Sequence, residues 1–108
     1  MIEREFFIEL DQETRIFVWF LLHRGKVKEF VVKLIHKGME VVRYDSAHGC
    51  PHKDILHPDP HQKRKVWYHG LESDVVLTLA INELRQEYPH LIERYLRWLE
   101  KGEPRAKK

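Results

Sequence analysis

The stretch IFVWFLLHRGKVKEFVVKLIHKGMEVVRYD, residues 16–45, contains three apolar runs that two short polar segments separate. The first run, 16–22, is rich in β-branched and aromatic residues, which favour strands, and its length suits a strand covered on both faces. Gly25 and Gly38 lie in the separating segments, where glycine can adopt the positive φ of a tight turn. Because parallel strands need a much longer connection, these runs predict successive antiparallel strands.

The flanking segments extend the predicted sheet and add helices. Phe6, Ile8 and Leu10 recur at every second position, as on the apolar side of a half-buried strand, and residues 65–69 are predicted as a further strand at the sheet edge. From Ser73 onwards, apolar residues recur at helical spacing, and Pro89 is predicted to end one helix and begin another. The expected fold class is α+β: a four- to five-stranded antiparallel meander followed by two C-terminal helices packed on one face.

Length and composition are those of one ordinary globular domain. The chain has 108 residues, of which 43% are hydrophobic and 33% charged, and its formal net charge of +2 is too balanced to indicate nucleic-acid binding by itself. We expect residues 1–101 to form the domain and residues 102–108 a disordered basic tail. A single cysteine, Cys50, excludes an intramolecular disulfide and a four-cysteine zinc cluster.

Targeting signals are not apparent in the sequence. The longest uninterrupted apolar run has seven residues, whereas a membrane-spanning helix needs about 20. The N-terminal MIEREFFIEL carries glutamates where a signal peptide has a basic region. A cytoplasmic location without membrane contact is therefore expected.

Segment 45–62, DSAHGCPHKDILHPDPHQ, interrupts both patterns and gathers titratable residues. Its three prolines remove backbone donors, so the segment is predicted to be a loop. It contains four of the eight histidines, the only cysteine and three aspartates. Because catalytic groups often lie on loops at the end of a rigid strand, this segment is the predicted functional site.

The segment VVRYDSAHGCPHKD, residues 41–54, resembles the TumE-like toxins of small toxin–antitoxin operons. The similarity covers residues 27–100 in layout, with strands first, a Tyr-Asp and histidine segment in the middle and a helix last, but it is specific over Arg43–Asp54. Ser46 departs from the asparagine usual in that family, and Cys50-Pro51 interrupts its histidine pattern. The resemblance implies a growth-inhibiting protein with a cognate antitoxin as its partner.

Metal-independent cleavage of RNA is one chemistry that the residue types allow. It needs a base for the 2′-hydroxyl, an acid for the leaving oxygen and a cation near the phosphorus. Histidine suits both proton transfers, because its ordinary pKa of about 6.5 lies near the working pH. The predicted catalytic residues are His48 and His52 for the proton transfers, Asp45 and Asp54 to orient them, and Lys53, together with Arg43, to stabilise the phosphorane.

A basic and aromatic set around the same segment is predicted to contact nucleic acid. Cations would hold phosphates and aromatic rings would stack with bases. The predicted residues are Arg43, Tyr44, Lys63, Arg64, Lys65 and Trp67.

Zinc binding is a second use of the segment, beside the expectation that no cofactor is needed. His48, Cys50 and His52 alternate, so an extended backbone would direct them to one side, with His57 or His61 as a fourth ligand. Solvated loop histidines without a function are a third interpretation. The alternative from another functional class is a non-enzymatic protein-interaction module, in which this segment is structural or binds zinc.

Overall fold

The computed structural model describes residues 1–106, without the side chains of His48 and of residues 103–106. The chain forms a six-stranded antiparallel sheet followed by one helix, so the α+β class is confirmed. Each strand pairs with the next one in sequence, as the meander prediction requires. The elements are β1 (Ile2–Asp11), β2 (Thr14–His23), β3 (Lys26–His36), β4 (Met39–Asp45), β5 (His52–Ile55), β6 (Arg64–Trp67) and α1 (Ser73–Ala106).

Two tight turns set the register of the central strands. Arg24 and Gly25 connect β2 to β3 with φ values of 54° and 78°, and Lys37 and Gly38 connect β3 to β4 with φ values of 49° and 79°. A two-residue turn with positive φ at both positions matches the right-handed twist of paired strands. The turns predicted from the two glycines are therefore present.

The prediction of four to five strands is wrong, because β5 forms inside the predicted loop. Its four residues lie between Pro51 and Pro58, and neither proline belongs to the strand. Each proline removes its own backbone donor only, so four residues between them can still pair with β4 and β6. The prolines limit the length of this strand rather than preventing it.

The prediction of two helices is also wrong, because α1 continues through Pro89. Pro89 is exposed, so solvent can hydrogen-bond the carbonyl group that the missing N–H leaves free. The apolar spacing of Leu84 and Tyr88 continues at Leu91 and Ile92, which pack against the same core. Burial of this continuous face favours one helix.

The helix covers one face of the sheet, which we call the helix face, and packs mainly on β3 and β4. The core lies between them and contains Ile16, Val18, Phe30, Val32, Leu34, Val42 and Tyr44 from the sheet and Val76, Leu77, Ala80, Leu84, Leu91 and Ile92 from α1.

No helix within residues 1–106 covers the opposite face, which we call the open face. Phe17 and Trp19 alternate with core residues Ile16 and Val18, and they lie half-buried there. The expectation that residues 16–22 are covered on both faces is therefore wrong. Phe7 contacts Phe17 with ring centroids 5.4 Å apart, so neighbouring aromatic side chains supply part of the cover.

In the described part of the chain, no helix is long and apolar enough to span a membrane. Residues 102–106 continue α1, whereas Lys107 and Lys108 lie outside the described residues. The expectation that residues 102–108 form a disordered tail stays a prediction.

Candidate functional site

The pairing of β4 with β5 brings the acidic and histidine residues of the predicted site together. Asp45 lies opposite His52, and Arg43 lies opposite Asp54. Alternate residues of a strand point to the same face, so all four side chains lie on the open face. Residues 46–51 connect the two strands through a 3₁₀ turn, and the Asp45 carboxylate accepts a hydrogen bond from the Ala47 N–H at 2.9 Å.

Asp45, His52 and Asp54 form what we call the open-face cluster. The His52 Nε2 atom is 3.1 Å from Asp45 Oδ1 and 3.7 Å from Asp54 Oδ2. The three residues are only 6%, 2% and 6% exposed, respectively, although no helix covers them. The Trp67 ring, with its centroid 5.0 Å from that of His52, is part of the cover.

The other ring nitrogen of His52 fixes the orientation of the imidazole. His52 Nδ1 lies 3.2 Å from the carbonyl oxygen of Cys50, which can only accept a hydrogen bond. Nδ1 therefore carries a proton and donates it to this contact. The Nε2 atom faces the two carboxylates. It presents a lone pair to them if the ring is neutral and an N–H group if the ring is charged.

Basic side chains surround the two carboxylates. The Arg43 Nε atom donates to Asp45 Oδ2 at 3.0 Å, and the Arg43 guanidinium also contacts Glu40 at 3.6 Å. Lys65 Nζ is 3.4 Å from Asp54 Oδ1, an ion pair without hydrogen-bond geometry. The buried Asp54 Oδ1 thus has no hydrogen-bond partner among the described residues.

A groove of about 330 Å³ adjoins the open-face cluster. Its walls include Trp19, Lys28, Glu29, Arg43 and Asp45. Two of these side chains are basic and two are acidic, so the groove has mixed charge. It gives a ligand access to the edge of the cluster from the open face.

A second polar network lies on the helix face, and we call Tyr44, Lys53 and Glu83 the helix-face cluster. The Lys53 Nζ atom donates to Glu83 at 2.7 Å, and the Tyr44 hydroxyl donates to the same carboxylate oxygen. Burial and the hydrogen bond to Glu83 raise the pKa of Tyr44 far above its ordinary range. Burial alone would raise the pKa of Glu83, but hydrogen bonds from Lys53 and Tyr44 outweigh it and lower this pKa.

The predicted catalytic residues divide between the two faces. Asp45, His52 and Asp54 come together, whereas Lys53 points to the helix face because it alternates with its two neighbours in β5. The side chain of His48 lies outside the described residues. The structure thus assembles three of the five predicted groups in one cluster.

The predicted nucleic-acid contacts divide in the same way. Arg43, Lys65 and Trp67 lie on the open face around the cluster. Tyr44 is fully buried, so its ring offers no face for a base. Arg64 alternates with Lys65 and faces the helix side, while Lys63 is exposed just before β6.

The predicted zinc ligands do not come together in the described part of the chain, where only His52 belongs to the open-face cluster. The Cys50 Sγ atom is 3.8 Å from His69 Nδ1, a neighbour that the sequence interpretation did not assign. His57 stacks on Trp98 with ring centroids 4.6 Å apart, and His61 is exposed. The side chain of His48 lies outside the described residues.

Sequence reasoning missed the ligand geometry of the two aspartates and the part played by Glu83. Asp45 and Asp54 were expected to orient histidines, although oxygen and imidazole nitrogen are themselves suitable metal ligands. The available signal was the symmetric placement of two pairs about the turn at residues 46–51, because a hairpin there pairs Asp45 with His52 and Arg43 with Asp54. Glu83 gave no such signal, since its contacts depend on how α1 packs.

A family model described as "Domain of unknown function (DUF7718)" matches residues 1–101, and the chain belongs to this family. No curated protein and no solved structure gives a significant match. The comparisons therefore identify the family without assigning an activity to it.

Proposed function

We propose that this member of the DUF7718 family is the toxin of a toxin–antitoxin pair and that it acts on RNA through the open face of its sheet. The observation that carries this proposal is the convergence of Arg43, Asp45, His52 and Asp54 around one cluster. These residues belong to the segment that resembles the TumE-like toxins. The resemblance therefore falls on residues that are close in space and not only in sequence.

The surroundings of the cluster are suited to an RNA backbone. Arg43 and Lys65 are partly exposed beside it, and Trp67 is 43% exposed. Guanidinium and ammonium groups bind phosphate, and an indole ring can stack with an unpaired base. Lys28, in the wall of the adjoining groove, offers a further cation for a phosphate of the RNA.

His52 is poorly placed for proton transfer to a substrate, because it is buried and both of its nitrogens face protein oxygens. We therefore keep RNA as the proposed target, and we assign its recognition to the open-face cluster as a whole rather than to His52 alone. This proposal does not depend on His48 and His52 acting as an acid–base pair. Cytoplasmic action and neutralisation by an antitoxin encoded beside this chain belong to the same proposal.

Growth of a bacterial host after induction tests the proposal, with RNA ends sequenced before and after induction. Three chains are compared at equal soluble expression: the wild type, Asp54→Asn and Asp59→Asn. Asp59 is a matched control, because it is an aspartate beside His57 and His61, away from the cluster, and asparagine can still accept from the His61 N–H. We expect growth arrest and new RNA ends with the wild type and the control, and neither with Asp54→Asn.

Two outcomes contradict the proposal. Equal arrest by all three chains would move the active surface away from the cluster. No arrest by the wild type, together with no cleavage of total RNA by the purified chain, would remove RNA as the target.

The edge strand β1 favours a second candidate, a protein-interaction module without catalysis. In residues 1–106 no strand pairs with the outer edge of β1, and Ile2, Phe6 and Phe7 are exposed along it. Long exposed edges with apolar side chains readily pair with another chain. If the chain acts only by binding, Phe7→Ser abolishes the effect of induction, whereas Asp54→Asn leaves it unchanged.

A further inference from the structure

The open-face cluster has the donor atoms and spacing of a divalent cation site. Asp45, His52 and Asp54 each offer one ligand atom, and these atoms all lie within 4.8 Å of one another. Ligands placed about 2.0–2.2 Å from zinc at near-tetrahedral angles stand roughly 3.3–3.6 Å apart. The distances of 3.1 Å and 3.7 Å from His52 Nε2 to the two carboxylates are close to this spacing.

The surroundings of His52 are those of a metal-bound imidazole. A metal-ligating histidine usually donates its second ring N–H to a backbone carbonyl or carboxylate, which fixes the tautomer and directs the other nitrogen to the metal. The contact between Nδ1 and the Cys50 carbonyl performs this task. Asp45 is oriented in the same way by the N–H of Ala47 and the Arg43 guanidinium.

An independent observation comes from Asp54. Its Oδ1 atom is buried and has no hydrogen-bond partner among the described residues, while its Oδ2 atom faces His52. A buried carboxylate oxygen that accepts no hydrogen bond costs free energy even where an ion pair offsets part of its charge. Lys65 contacts this oxygen at 3.4 Å but does not form a hydrogen bond with it.

We propose that Asp45, His52 and Asp54 bind one divalent first-row transition cation, with zinc and manganese as the ions that suit one imidazole and two carboxylates. Three protein ligands leave at least one coordination position for water or for a phosphate oxygen. For its biological role this site rests on the function proposed above, because a cation beside Arg43 and Lys65 would hold an RNA phosphate. The alternative occupant of the same space is a proton on Nε2, which would make His52 a charged partner of the carboxylates.

Metal titration of the purified full chain distinguishes these two occupants. After removal of metal with a chelator, Zn²⁺ or Mn²⁺ is added and binding is followed by calorimetry and by the nitrogen NMR signals of the histidine rings. We expect one equivalent to bind, the His52 Nε2 signal to change to that of a metal-bound nitrogen, and Tm to rise by roughly 10 °C at a hundredfold excess over the dissociation constant.

Variants separate this site from adventitious binding by the other histidines. His52→Gln and Asp54→Asn are expected to lose the bound equivalent, whereas His61→Gln and Asp59→Asn keep it. His61→Gln and Asp59→Asn alter the segment at residues 57–61. If the metal bound to this surface segment rather than to the cluster, these two variants would lose it. Circular dichroism of each metal-free variant confirms that loss of binding is not loss of folding.

The inference is overturned if the folded wild-type chain binds no equivalent, or if its Nε2 signal stays that of a protonated ring at saturating metal. It is also overturned if His52→Gln and Asp54→Asn both fold and bind as the wild type does. Binding without growth arrest would refute the toxin and keep the metal site. Growth arrest without binding would do the reverse.

Discussion

The two faces of the β4–β5 hairpin carry charged networks of opposite design. On the helix face, the carboxylate of Glu83 accepts from both Lys53 and Tyr44, so donors and acceptor match beneath α1. On the open face, two carboxylates and His52 Nε2 converge, and one buried oxygen has no hydrogen bond among the described residues. The first network is complete within the protein, whereas the second would be completed by the divalent cation proposed above.

This difference arises between adjacent residues. Tyr44 and Asp45 are neighbours in β4, and Lys53 lies between His52 and Asp54 in β5. Because side chains alternate across a strand, one short hairpin supplies both a structural contact to the helix and a candidate site on the opposite side. The face of the strand, and not proximity in sequence, therefore decides which residues belong to the candidate site.

The largest test of the comparison is truncation of one aromatic residue on each face. Tyr44→Ala removes a fully buried ring and is expected to lower the free energy of unfolding by about 3–5 kcal/mol. Trp67→Ala removes a ring that is 43% exposed and should cost about 1 kcal/mol or less, while weakening the RNA contact proposed above. Urea denaturation of both purified variants measures these losses, and equal losses would contradict the assignment of the two faces.

The sequence was sufficient for the meander because its decisive signals are local. Glycines at 25 and 38 permit the positive φ of the turns, and the intervening apolar runs are long enough for strands. β5 was missed because its flanking prolines argue against a ladder, although only four residues between them are needed. Pro89 misled in the same way, because a local signal for a helix end was outweighed by burial on both sides of it.

The missed strand also explains the errors at the site. A segment predicted as a loop has no strand pairing, so the sequence groups Lys53 with His52 and Asp54, although Lys53 faces the other side of the sheet. The segment and its aspartates were identified because they concentrate titratable groups in few residues. Which groups meet depends on the register of β4 with β5, and only the folded sheet fixes it.

The pH dependence of the free energy of unfolding tests whether Lys53 and Glu83 form a stabilising ion pair, and the expected change is smaller. The pKa of Glu83 in the folded chain is below its ordinary value of 4.5, so its contribution to stability is present above that pH and lost as pH falls through the folded value. Glu83 is partly exposed, and we expect this contribution to be under about 1 kcal/mol. Urea denaturation from neutral pH down to about pH 3 should show a smaller acid-induced loss in Glu83→Gln than in the wild type.

Glu87→Gln is the matched control for this pH series, because Glu87 lies on the exposed side of the same helix. Its stability should depend on pH as that of the wild type does. Identical profiles for the wild type and Glu83→Gln would show that the Lys53 contact does not stabilise the fold, and the contrast with the open face would then be lost.

The smallest effect is expected for Asp54→Asn in a chelator, and it sharpens the comparison most directly. Removing this charge weakens the contacts to Lys65 and His52, but it also removes the repulsion between two carboxylates that approach the same nitrogen. These terms oppose each other, so the free energy of unfolding should change by no more than about 0.5 kcal/mol in urea denaturation. With saturating Zn²⁺ only the wild type should become more stable, because it alone retains all three ligands. If Asp54→Asn instead lowers the free energy of unfolding by more than about 2 kcal/mol without metal, Asp54 belongs to a structural network as Glu83 does. The open face would then not differ from the helix face in the way that a ligand site requires.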